Sequence, residues 1–242
     1  MNKNNFKNPL VLFLIFLLLP LTIAASDEKK IAVFVALADN ASQGIVPVPK
    51  AIGNGDDPEK NLYWGAGEGL RGVFDKSKNW KLQETKDLPE KNILRVRAYR
   101  HAKKKAILTA KAYKGSAIKE CIEAFEAALQ SGEFDLVVYI GHNGLMDFTL
   151  PIPQKGKRNV DCVVLCCKSE VYFKKRIEAI GCQPVLLTTQ LMYPGSFLLE
   201  ASAEVWLDQK NRNEIRESAG AAYATNQKIS KKSAVGVFSK LD

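Results

Sequence analysis

Short apolar runs alternate along this chain with stretches of helical period, the pattern of a sheet covered by helices. Ile31 to Leu37 (IAVFVAL) is apolar throughout, as a strand buried on both faces must be. Residues 40 to 60 carry Gly44, Pro47, Pro49, Gly53, Gly55 and Pro58, too many breakers for a regular element. The stretch Asn61 to Trp80 reads as a helix with a glycine-rich start, and Ile93 to Val96 as a second strand.

Ser116 is placed to cap a helix whose Ile118, Ile122, Phe125 and Leu129 recur about every fourth residue, with Gly132 as the stop. Leu136 to Ile140 (LVVYI) and Cys162 to Cys166 (CVVLC) are further buried strands. Ser169 is expected to cap a helix with Phe173, Ile177 and Ile180 on one face and Gly181 at its end. Val185 to Thr189 then reads as a strand and Phe197 to Leu207 as a helix. No internal repeat is visible.

The N-terminus follows a different plan. Lys3 and Lys7 precede an uncharged apolar run from Pro9 to Ala25, and the small residues Ala24, Ala25 and Ser26 close it. This is the layout of a secretory signal peptide over residues 1–25, leaving 26–242 as an α/β domain in a secreted or periplasmic protein; an uncleaved anchor is the alternative. Cleavage takes two of the nine net positive charges and leaves +7. An exported protein rarely meets nucleic acid, so this charge suits anionic lipid, cell-wall polymer or an acidic partner. The densest cluster is Arg95, Arg97, Arg100, His101 and Lys103 to Lys105. It reads as a solvated strand end and helix start, and it is the expected place for any membrane-surface or envelope contact.

Composition excludes a disordered or collagen-like chain, and a chain of 242 residues needs neither metal nor disulfides to be stable. Five cysteines in an oxidising compartment allow two bridges and one free thiol, with the pairing open. The glycines Gly67, Gly69 and Gly72 spell G-x-G-x-x-G, but no strand runs into them, so a dinucleotide site is rejected and no cofactor is expected. Cys162 and Cys166 share one strand face while Cys167 points the other way, which rules out convergence on a zinc ion without breaking the strand.

With two histidines in the chain, any imidazole chemistry falls to His101 or His142. His101 sits in the basic cluster and reads as structural. His142 follows one apolar strand and Cys167 another. In an open parallel sheet the C-terminal strand ends form the ligand crevice, so adjacent strands would set these two residues against each other. A helix N-terminus and an imidazole both favour the thiolate. The backbone N–H groups of Asn143, Gly144 and Cys167 are the candidate oxyanion donors.

A buried strand ending in His and Gly, followed by one ending in a small residue and Cys, resembles the caspase-haemoglobinase clan of cysteine peptidases, which includes caspases, legumains, gingipains and clostripain. The resemblance covers roughly residues 30 to 207. It implies a caspase-like three-layer α/β sandwich with a mostly parallel central sheet flanked by helices, His142 as general acid/base, Cys167 as nucleophile, and a peptide or protein substrate. Here Asn143 stands between His142 and the glycine, Cys166 occupies the small-residue position, and Pro151 and Pro153 interrupt the connection between the two strands. The other expected function, from a different class, is a catalytically silent caspase-like domain that binds an envelope or extracellular partner.

Overall fold

The computed structural model describes residues 28–86 and 91–241, so the expected signal segment, 1–25, lies outside the described residues. Seven strands form one sheet: β1 (Lys29–Ala36), β2 (Trp80–Lys86), β3 (Ile93–His101), β4 (Ala106–Tyr113), β5 (Leu136–Ile140), β6 (Asp161–Leu165) and β7 (Gln183–Leu186). Their spatial order is β2-β3-β4-β1-β5-β6-β7. The five strands from β4 to β7 across the sheet run parallel, and β3 is antiparallel to both of its neighbours.

Period-two alternation divides the core between the two faces. Ile31, Val33, Val35, Leu136, Val138, Ile140, Val163 and Leu165 pack on one side, under α1 (Leu70–Phe74), α4 (Phe197–Leu207), α5 (Arg212–Gln227) and α6 (Lys231–Val235). Phe34, Val137, Tyr139, Cys162, Val164 and Cys166 face the other side, under α2 (Ile118–Ser131) and α3 (Ser169–Ile180). The fold is therefore a three-layer α/β sandwich around a mostly parallel sheet. Among the described residues no helix is long and apolar enough to cross a membrane.

Several elements differ from expectation. In place of one helix over Asn61 to Trp80 there are turns followed by the five-residue α1, and Trp80 opens β2. The glycines explain this: a Cβ at Gly69 would lie 2.6 Å from the Trp64 backbone, so the chain folds back on itself too closely for any larger residue. The buried Asn61 fixes that turn by accepting from the Ala38 and Tyr63 amides and donating to the Ala38 and Asn54 carbonyls.

The basic cluster does contain a strand end, but no helix starts there. It is the far half of β3 and its hairpin to β4. Nor do the expected caps form. A 3₁₀ turn at Gly115–Ala117 leads into α2 without a side-chain cap, and Ser169 is the first residue of α3, with Lys168 before it at φ 50°. Ser169 is buried, and its hydroxyl donates to the Val164 carbonyl.

Candidate functional site

Register places the two key strand ends side by side. β5 and β6 pair in parallel from Leu136↔Asp161 to Ile140↔Leu165, and the Gly141 amide extends the ladder to the Leu165 carbonyl at 3.2 Å. Two residues beyond each last pair stand His142 and Cys167, so the sheet brings them to neighbouring positions on its C-terminal edge. Gly141 makes the exit of β5 possible. It adopts φ 153°, and a Cβ there would lie 2.9 Å from the Ala36 carbonyl oxygen on β1. Only glycine meets both conditions without strain.

The imidazole of His142 is 7% exposed, and its Nε2 lies 2.6 Å from Asp147 Oδ2. A carboxylate only accepts, so Nε2 carries the proton and Nδ1 is left as the proton-exchanging nitrogen. The His142 carbonyl is held in turn by the buried Tyr139 hydroxyl at 2.7 Å and by the Gly144 amide at 3.1 Å. Asp147 sits just after a 3₁₀ turn at Gly144–Met146 and also accepts from the Gly44 amide at 3.3 Å. Sequence reasoning missed it. Its signal was its place five residues after His142 in the same short loop.

Cys167 is half-buried, and its sulfur lies 3.5 Å from both the amide nitrogen and the carbonyl oxygen of Met192. The sulfur can accept from that amide and donate to that carbonyl, so the Met192 peptide unit fixes its position. α3 begins two residues later, and its first amides, of Ser169 and Glu170, donate to Thr188 rather than to the sulfur. Tyr63 is buried close enough to feel both Cys167 and Cys166. Burial, reinforced by these two thiols, pushes its phenol well above the usual range, so it stands beside the sulfur as a neutral hydroxyl.

Asn143 joins the two loops. Its side-chain amide donates to the Cys167 carbonyl at 2.7 Å, and its Oδ1 accepts from Leu145 at 3.2 Å. Of the oxyanion donors expected in the His loop, the Gly144 amide is engaged by the His142 carbonyl, while Asn143 straps the loops together through its side chain.

The remaining thiols are packing groups. All five cysteines are free, so neither of the two bridges that composition allowed is present. Burial pushes Cys121, Cys162 and Cys166 well above the ordinary thiol range. Cys166 faces the α2 and α3 side, and the Cys167 sulfur meets Met192 on the other side.

His101 belongs to a different structure. Its Nε2 donates to the Glu204 carboxylate at 3.0 Å, and its Nδ1 accepts from the Lys103 and Lys104 amides, which ties the β3–β4 hairpin to α4. Four of its neighbours in the basic cluster are matched within the chain: Arg95 with Glu59, Arg97 with Asp75, Arg100 with Glu28, and Lys104 with Glu204 and Asp208.

Comparison of the chain with protein-family models, with curated proteins and with solved structures gives no match.

Proposed function

We propose that this protein is an exported cysteine peptidase of the caspase-haemoglobinase kind, with Cys167 as nucleophile, His142 as general acid/base and Asp147 orienting the imidazole. The observation that supports the reading is the placement of His142 and Cys167 at corresponding positions beyond paired parallel strands, with a carboxylate 2.6 Å from the imidazole Nε2. A nucleophile, a base and a third group orienting the base are the parts acyl transfer requires.

In the reaction, Cys167 Sγ attacks the peptide carbonyl as its proton passes to His142 Nδ1. The tetrahedral oxyanion collapses, the C–N bond breaks and the leaving amine takes that proton. Water, deprotonated by His142, then attacks the thioester, and the acid leaves as the thiol reforms. Asp147 stabilises the imidazolium formed in both half-reactions.

One observation favours the second reading, a silent domain that binds an extracellular partner: the Gly144 amide is closed onto the His142 carbonyl rather than aimed at the crevice. A single experiment separates the two. Protein beginning near Ser26 is incubated with a mixed peptide library beside its Cys167→Ala and His142→Ala variants. Cleavage lost in both variants, without additive effects in the double variant, supports the dyad. Equal product from all of them excludes it, and no cleavage by any, with a partner retained in a pull-down, favours the silent domain.

A further inference from the structure

The segments that leave β1, β5, β6 and β7, loops after β1, β5 and β7 and the first turn of α3 after β6, come off four consecutive strands of the sheet, and each presents a large apolar side chain to solvent near its strand. Val46, Met146, Val171 and Leu191 are 84%, 40%, 69% and 65% exposed. Among the described residues the other exposed large apolar side chains are Leu82 on β2, Ile152 farther along the β5–β6 connection on the segment clamped by Arg176, and Ile229 after α5. Isolated exposed apolar residues need no explanation, but one at each of four neighbouring strand exits around a reactive edge does.

These loops are also joined to one another in strand order. The Gly44 amide reaches Asp147, linking the β1 and β5 loops. Asn143 donates to the Cys167 carbonyl, linking β5 to β6. The Lys168 amide donates to the Gln190 carbonyl at 3.0 Å, and Met192 embraces the Cys167 sulfur, linking β6 to β7. The result is one continuous shelf with His142 and Cys167 at its middle.

Spacing indicates what fits the shelf. Four strand ends at about 4.8 Å intervals span about 14 Å, the length of four to five extended residues at about 3.4 Å each. We propose that the shelf recognises an extended peptide running across the strand ends, with large aliphatic side chains on both sides of the bond held over Cys167. This rests on the dyad reading, and it adds the substrate class.

The test uses peptidyl acyloxymethyl ketones, in which the Cys167 thiolate displaces a carboxylate from the methylene carbon to form a thioether while the thiol proton goes to His142. Probes with Leu, Gly, Asp or Lys side chains are compared on the whole protein, each rate divided by that of iodoacetamide on the same protein. The Leu probe is expected to label Cys167 at least about tenfold faster than the Gly, Asp or Lys probes, as one well-filled apolar site allows. Met146→Glu and Leu191→Glu should each remove most of that preference, whereas Leu82→Glu, at the far edge of the sheet, should keep it. Thermal melts confirm folding of each variant.

Equal labelling by Leu and Gly probes, or a preference that survives both shelf variants, overturns the inference. If in that case His142→Ala still slows labelling, the dyad reading stands without it. If His142→Ala leaves all rates unchanged, both fall.

Discussion

Replacing Asp147 with Asn removes a charge and keeps the shape, which isolates the carboxylate's part in the site. The bond it makes to His142 Nε2 is 2.6 Å long and charge-assisted, a class that contributes about 1.5–3 kcal/mol. The Asp147 side chain is 36% exposed, so solvent screens part of this and about 1–2 kcal/mol is a fair expectation. At about 1.4 kcal/mol per decade the reaction should slow roughly 5- to 30-fold. A second effect acts in the same direction, because an Asn amide can donate to Nε2 and so favour the tautomer that leaves no base at Nδ1. The assay is the rate of Cys167 alkylation by a peptidyl electrophile across pH, with a thermal melt to show that folding is unaffected. A variant that reacts within twofold of the unaltered protein while His142→Ala is at least tenfold slower would refute the orienting role of Asp147.

Mild alkylation followed by peptide mapping should modify Cys167 alone up to about pH 8.5, because burial pushes Cys166, Cys121 and Cys162 up and away from the thiolate form; labelling of Cys166 first would mean the strand exit is one residue out of register. Arg176→Met should cost about 3 kcal/mol in urea unfolding, since it strands Glu126, which receives two bonds from that guanidinium at 2.6 and 2.9 Å and is buried between α2 and α3. It also frees the Leu150 and Pro151 carbonyls that the same guanidinium holds. His101→Ala should lower stability by about 1–3 kcal/mol through the lost bond to Glu204 and the freed Lys103 and Lys104 amides, with Cys167 reactivity intact; a loss of reactivity would mean the hairpin communicates with the crevice. Gly141→Ala should cost about 1–3 kcal/mol and slow Cys167 labelling together, because it strains the residue that sets His142 on the β5 exit.

Local alternation was enough to read the centre of this fold. β1, β5 and β6 are apolar at every position, or nearly so, because both of their faces are covered, and the same period-two rule sends Cys166 and Cys167 to opposite sides. At one end of the sheet the pattern was legible only in part, for the complementary reason. β2 was hidden and β3 was read only over Ile93 to Val96, because one face there is only partly covered, so the Lys, Glu and Arg positions resemble a solvated loop, and the partners that satisfy those charges, Asp75, Glu59 and Glu28, are distant in sequence.

α5 carried a readable signal that was passed over: Asn211 and Glu214 form a reciprocal cap ahead of the stripe Ile215, Ala219 and Tyr223.

For the site, the sequence by itself determined which side chains have the chemistry and that each follows a buried strand. Only the tertiary structure decided that those strands are adjacent, that Asp147 turns back onto His142, that Gly144 closes onto the His142 carbonyl, and that four apolar side chains share one edge. The physical reason is range. Whether a residue faces in or out is fixed by its immediate neighbours in the chain, whereas strand order and loop contacts are fixed by pairings across tens of residues, which no local period records.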